Sequence, residues 1–305
     1  VINNTRYVSD ETRRRVQDSI EQLGYNPNIM ARIFKTGKKY LIGFVVPDIS
    51  NIFFANIIEE IENVIAEKNY RLIVTNTKEN ADLEREHIRT LSNGIVDGLI
   101  VASTLESYSQ IQELLPDSIP TLFIDRTLKD CPEDSVIISN YDAMYKAVET
   151  LIANGHSQIG YITGLPHLST TQERLSAYYD AMLSYHIPVN TDFIYTGTSV
   201  HNTYDSYIEK ILAQGCTALI VSNNVMTEDI LYYLDKNKMF GKIALVGYND
   251  SDYLNYALRR IYSISQPASA LGQTAGRHIL AQIEHQAPPQ HEELCATFSE
   301  PKLWL

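Results

Sequence analysis

From Tyr40 onward, short apolar runs alternate with stretches whose apolar residues recur every three or four positions. YLIGFVV (40–46) is unbroken, as a strand covered on both faces of a parallel sheet requires. Phe54, Ile57, Ile58, Ile61 and Ile65 then form one face of a helix. The cycle repeats as RLIVTN, a helix near Leu83–Leu91, GLIVAS, a helix near Tyr108–Leu115, TLFID, SVIIS and a helix over Tyr141–Asn154. A second series begins with QIGYITG and a helix near Glu173–Ser184. DFIYTG, a helix around Tyr204–Gln214, TALIVSN, a helix over Thr227–Asn237, KIALVGYND and RRIYSIS follow. A helix over Ala268–His285 and a short apolar segment, Glu293–Phe298, close the chain. Two successive runs of about five β/α units predict an α/β fold with two doubly wound parallel-sheet subdomains.

The first forty residues follow a different pattern. Ser9 can cap a helix with Asp10 and Glu11 in its first turn. Thr12, Val16, Ile20 and Leu23 fall near one face, and Gly24 is placed to end it. So narrow an apolar face cannot fold alone, so partner helices upstream of Val1 are expected. Asn28, after Pro27, caps a second short helix reaching Lys35.

Charge sharpens this division. The whole chain carries −12, which by itself speaks against a nucleic-acid partner. Residues 1–39 nevertheless hold eight basic residues (Arg6, Arg13, Arg14, Arg15, Arg32, Lys35, Lys38 and Lys39) against four acids (Asp10, Glu11, Asp18 and Glu21). That is +4, which leaves −16 for the rest. Such asymmetry marks a basic module whose partner is an anion. No apolar run is long enough to span a bilayer. The three cysteines (Cys131, Cys216 and Cys295) have neither a disulfide nor a zinc spacing, so free thiols in a reducing compartment are expected.

In open α/β sheets ligands bind beyond the carboxyl ends of the strands. The residues that follow the apolar runs are Asp48, Asn76, Ser103, Asp125, Gly164, Asn223 and Asn249, a set able to make paired hydrogen bonds to hydroxyls or to a base. The same residue types also make Asx-turns and helix caps. Arg174 lies early in the helix after QIGYITG, so its fork can reach the same cleft. Adjacent helix residues diverge by about 100°, so with Phe54 on the apolar face Phe53 is free to face the cleft. Thr170 is counted with this effector-binding set. There is no GxGxxG, GxxxxGK[ST], GxSxG or HExxH. The scattered histidines have no ligand spacing, and no nucleophile is paired with a base. No cofactor, metal or catalytic activity is expected.

Taken in order, YVSDETRRRVQDSIEQLGYNPNIMAR, IGFVVPDISNIFF, VDGLIV, LIANGHSQIGYITG, ALIVSNN, VGYND and ISQP resemble the LacI/GalR family of bacterial transcriptional regulators over essentially the whole length. The resemblance implies a helix-turn-helix head, of which residues 1–25 are the C-terminal part, and a hinge helix and linker over 26–39. It places the N-terminal core subdomain at 40–155 plus 267–288 and the C-terminal one at 156–264 plus 291–305. The chain would cross near Gly155–His156, Ser265–Pro267 and the QAPPQ loop. Val1–Asn4 would end the recognition helix and Ser9–Leu23 would form the head's third helix. The first two helices are expected to precede Val1, and without them the major groove would not be read.

The resemblance carries operator-contacting roles onto Asn3, Tyr7, Ser9, Asn28, Ala31, Arg32 and Phe34. Phe34 stands where the family commonly has the leucine that paired hinge helices wedge between base pairs. Arg174, Asp125, Asn223 and Asn249 match effector-contacting positions, with Phe53 opposite. Asn224 and Asn249 replace frequent aspartates, which suits a neutral or phosphorylated ligand as well as a plain sugar. The expectation is a cytoplasmic, homodimeric, effector-responsive repressor of a carbohydrate-utilisation operon. It would bind operator DNA and a sugar or sugar phosphate without touching a membrane. A solute-binding protein for transport is the rival, since it shares the two-part core, and an enzyme is a distant third.

Overall fold

The computed structural model describes residues 7–23, 37–198, 201–248, 261–285 and 290–301. The chain divides into two units, 1–39 and 40–305. In the first, α1 (Asp10–Leu23) begins where Ser9 accepts a bond from the Thr12 N–H at 3.5 Å and meets its hydroxyl at 2.9 Å. Val16 and Ile20 are half-buried, whereas Leu23 is 80% exposed, so the apolar face is as narrow as its sequence implied.

The second unit opens with β1 (Leu41–Val46), α2 (Ile52–Ala66), β2 (Arg71–Asn76), α3 (Ala81–Ser92), β3 (Gly98–Val101), β4 (Thr121–Asp125), β5 (Asp134–Ser139) and α4 (Tyr141–Ala153). It continues through β6 (Ile159–Thr163), α5 (Ser169–Ser184), β7 (Ile194–Thr196), α6 (Asp205–Ala213), β8 (Ala218–Val221), α7 (Asn224–Lys236), β9 (Ala244–Tyr248) and β10 (Tyr262–Ser265). Last come α8 (Ala268–His285), β11 (His291–Cys295) and β12 (Thr297–Ser299). The strands form two six-stranded sheets, ordered β11-β5-β4-β3-β1-β2 and β12-β10-β9-β8-β6-β7. All described pairings are parallel except β12 against β10. In each sheet the first strand lies between the second and the third. The order therefore reverses at β1/β3 and β6/β8, and a crevice opens beyond those strand ends.

Three expectations need correction. The stretch Tyr108–Leu115 is not an α-helix but two single 3₁₀ turns, Tyr108–Gln110 and Gln112–Leu114. Ser107 caps the first, and Pro116 follows directly, leaving too little chain for stable i→i−4 bonding. The closing apolar segment is not one element. His291–Cys295 pairs with β5 in the first sheet, and Thr297–Ser299 pairs with β10 in the second. The third crossing between sheets therefore falls at Ala296 rather than at the QAPPQ loop, and 291–295 extends the first sheet. Helix α4 packs on β10 and β12, so the first crossing falls between β5 and α4 rather than near Gly155–His156, and residues 141–153 belong with the second sheet.

Local chemistry fixes these elements. Asn51, Asn80 and Asn223 each cap the helix that follows through a side-chain oxygen. Helix α8 lies close on α2 because a Cβ at Gly272 would come within 2.7 Å of the Ile57 carbonyl oxygen. Beyond β3, fully buried Glu84 of α3 accepts bonds from the Ser103 hydroxyl, the Thr104 hydroxyl and the Thr104 N–H. A buried carboxylate with three donors ties the end of β3 to α3. Glu84→Gln turns an amide NH₂ toward donors that need an acceptor. It should lower unfolding free energy by about 2 kcal/mol in urea titrations, against an unchanged midpoint if the carboxylate is idle.

Candidate ligand-binding cleft

The crevice lies between the carboxyl ends of the two sheets and holds about 590 Å³ of unfilled space including its open mouth. That size suits a small molecule. One wall comes from the turns after β1, β2 and β4 and the start of α2; the other comes from the turns after β6, β8 and β10 and the first turns of α5 and α7. The starts of α2, α5 and α7 reach the same space, where the positive ends of their dipoles favour oxygen-rich or negative groups.

Arg174 is 7% exposed. Its Nη1 donates to the Ser222 carbonyl at 2.5 Å, and its guanidinium lies 4.4 Å from the centre of the Tyr248 ring. These two contacts fix the plane of the fork. Its Nε is buried and has no hydrogen-bond partner among the described residues. Asp125 ends β4 with φ +66°, a left-handed conformation that a non-glycine residue holds only when its surroundings impose it. Burial pushes its carboxyl pKa up, against the opposing pull of Arg126 and Arg174. Arg126 sets its fork on Glu79, with bonds of 2.8 and 2.7 Å, and reaches the Ser103 carbonyl at 3.3 Å. Burial works against the guanidinium charge, but Glu79 outweighs it and holds the pKa above the usual arginine value. The Arg126 Nε lies 3.6 Å from the Asp125 carboxylate and lacks a hydrogen bond, as does the buried Nε2 of Gln266.

Among the described residues the cleft thus holds three buried N–H donors without acceptors: Arg126 Nε, Arg174 Nε and Gln266 Nε2. A buried unpaired donor costs about 1–3 kcal/mol, and a ligand oxygen placed there would offset that cost. Donors beside the Asp125 carboxylate suit a hydroxyl, which accepts and donates at once.

Of the expected effector residues, Asp48, Phe53, Asp125, Thr170, Arg174 and Asn223 line this space. Asp48 also forms an Asx-turn, accepting from the Ser50 N–H at 2.9 Å and hydroxyl at 2.7 Å. Asn223 also caps α7 by accepting from the Met226 N–H at 2.8 Å. Phe53 does face the cleft, but so does Phe54, and both are buried with rings 5.1 Å apart. Ser103 does not belong to the cleft lining. Its hydroxyl is committed to Glu84 and also accepts from the Leu105 N–H, and only its carbonyl touches Arg126. Asn249 lies outside the described residues, as do Asn3, Asn28, Ala31, Arg32 and Phe34 of the expected DNA-contacting set. Of that set, Tyr7 is 97% exposed and Ser9 caps α1.

Asn51, Glu79, Arg126 and Gln266 also line the cleft and were not anticipated; so does Asn224, which had stood out only as a replaced aspartate. Four of them stand within three residues of a predicted strand end, a signal open to reading; Asn51 lies further on, in the turn before α2. Among the described residues no group of His, Cys, Asp and Glu is disposed to hold a metal ion.

Because burial raises the Asp125 pKa, its ionised form is held at a cost. Stability is fully present below the unfolded pKa and is lost as pH rises through the folded one. Asp125→Asn keeps a residue suited to φ > 0 and removes that charge. The variant should melt higher than the parent at pH 7, with the gap closing as pH falls toward 4; a lower melting temperature at pH 7 would contradict this assignment.

The chain matches two family models: periplasmic binding proteins and the sugar-binding domain of the LacI family over residues 39–294, and bacterial regulatory proteins of the lacI family over residues 1–28. It is 30% identical over 295 residues to the probable HTH-type transcriptional regulator EndR of Paenibacillus polymyxa, covering 94% of this chain and 86% of that protein. It is 28% identical to a crystal structure of a putative ribose operon repressor from Burkholderia thailandensis, covering 86% of this chain and 99% of that one with a TM-score of 0.76. The Lac repressor bound to ONPG in its repressed state superposes with a TM-score of 0.84 at 22% identity, covering 99% of this chain and 93% of that one, which shows the shared fold. The match at residues 1–28 sets aside the transport rival, and these relatives are regulators rather than enzymes. The chain belongs to the LacI family of bacterial transcriptional regulators.

Proposed function

We propose that this regulator represses a carbohydrate-utilisation operon and that its effector is a sugar or sugar phosphate held in the cleft. The observation that carries this reading is the pairing of unpartnered Arg174 Nε with the buried Asp125 carboxylate in one small space. Vicinal hydroxyls accept from the guanidinium and donate to the carboxylate, whereas an apolar ligand would leave both unpaired. Phe53 and Phe54 supply an apolar surface for the carbon face of a ring. The relative from Burkholderia thailandensis, by its description a ribose operon repressor, favours the same class.

The working form is a cytoplasmic homodimer. Residues 1–39, with their surplus of +4, meet operator DNA through Asn3, Tyr7, Ser9, Asn28, Ala31, Arg32 and Phe34. The core subdomains are 40–139 plus 267–288, extended by β11, and 140–264 with β12. An effector alters operator affinity only through unequal affinity for the two cleft states. Operator affinity should fall steeply with salt, as phosphate contacts release counterions.

A thermal-shift screen of sugars, sugar phosphates and nucleobases identifies the effector, and calorimetry then compares variants. Arg174→Ala should weaken its binding by about 10–100-fold, since hydrogen bonds to charged groups contribute ~1.5–3 kcal/mol, while circular dichroism stays native. Undiminished affinity would sink the role given to Arg174.

A further inference from the structure

Asn51 and Asn224 meet across the cleft. Asn51 precedes α2 and belongs with the first sheet; Asn224 opens α7 and belongs with the second. The Asn224 Nδ2 donates to the Asn51 Oδ1 at 2.7 Å. The same oxygen accepts from the Phe53 N–H at 2.9 Å, capping α2. A backbone N–H can only donate, so the Asn51 amide must turn its oxygen, not its nitrogen, toward the helix. Asn224, which is 6% exposed, must then present its NH₂. The polarity of the pair is therefore set by the cap.

The position of this bond gives it consequence. The chain crosses between sheets from β5 to α4, from β10 to α8 and from β11 to β12, so neither α2 nor α7 carries a crossing. Both side chains line the inner cleft with Arg174, and both also line a neighbouring chamber of about 500 Å³ with His201 and Glu228. Asp48 borders both spaces as well. The hydrogen bond thus borders both spaces and is made of protein atoms alone. We propose that Asn51–Asn224 is a latch that holds the two halves of the cleft together without help from a ligand, and that it must part for an effector to enter or leave.

The two isosteric asparagine-to-aspartate changes give this latch a signature. Asn51→Asp keeps an acceptor for both the Phe53 N–H and the Asn224 NH₂, so the latch survives. Asn224→Asp replaces the donor with a second acceptor. Asn51 can answer only by flipping its amide, which strips the cap from α2. Each change adds one negative charge beside the same neighbours, Asp48 and Glu228. A general charge effect would therefore move both variants alike, whereas a latch separates them.

The test places spin labels at Asp82→Cys and Lys236→Cys, exposed sites with one in each half, in a chain carrying Cys131→Ser and Cys295→Ser. Labelled chains are diluted with unlabelled chains, and dipolar distances are read with no effector added. The parent and Asn51→Asp should give one short-distance population. Asn224→Asp should lose most of it to longer distances. Asn224→Ala, which deletes the donor without adding charge, should open likewise and serves if the aspartate variant fails to fold. Equal distances in all four chains, an open parent, or equal opening of both aspartate variants overturns the latch. Since no effector enters the measurement, that outcome leaves the sugar reading of the cleft untouched.

Discussion

Glu79, Asp125, Arg126 and Arg174 are almost withdrawn from water at the meeting of two sheets, and the surrounding architecture answers to the need to keep them paired. An isolated charge moved into such a place would neutralise or drag the structure open. The fork of Arg126 fits both oxygens of Glu79, Asp125 sits between two guanidinium groups, and Arg174 is flattened on Tyr248. The left-handed turn at Asp125 is part of the same arrangement, because it turns the end of β4 so that Asp125 and Arg126 both reach the cleft. Among the described residues, the cleft-lining atoms left unpaired are all donors.

The two halves supply complementary parts of this site. The first contributes carboxylates and the aromatic wall; the second contributes Arg174, Thr170, Thr171 and the capped start of α7. Helix α5 serves both sides. Thr170, Thr171 and Arg174 line the cleft, while the neighbouring Glu173 carboxylate accepts from the Ser139 hydroxyl and from the Asn140 and Tyr141 N–H groups at the start of α4. That carboxylate thus caps a helix packed with α5 on the second sheet, at the end where the helix dipole favours negative charge, while its bond from Ser139 reaches the end of β5 in the first. The Ser169 hydroxyl adds a bond from the Thr127 N–H at 2.9 Å. A ligand held by Arg174 would therefore be held by an element that also bonds Ser139 and Thr127 of the opposite half, which is the mechanical condition for cleft geometry to depend on occupancy.

Much of this was legible before any coordinates. Buried parallel strands must be continuous apolar runs, so YLIGFVV, GLIVAS and TALIVSN announced themselves, and the polar residues after them pointed to the cleft. Arg174 could be found because family resemblance and helix position agreed. Ser103 misled because its partner, Glu84, sits on an amphipathic helix where a carboxylate ordinarily reads as solvent-facing. Glu79 and Arg126 were missed for a related reason. Their pairing joins two turns far apart in sequence, and nothing local in either turn marks it. The third crossing was misplaced because β11 and β12 are short and largely exposed, so the hydrophobic pattern at 291–299 does not reveal which sheet each one joins.

The most direct measurement is a crystal structure of the full chain with its identified effector bound. Ligand oxygens should lie within hydrogen-bond distance of the Arg174 Nε and the Asp125 carboxylate, with the ligand's carbon face against Phe53. A ligand seated in this cleft with both of those groups unengaged, or one bound elsewhere on the core, would contradict the assignment.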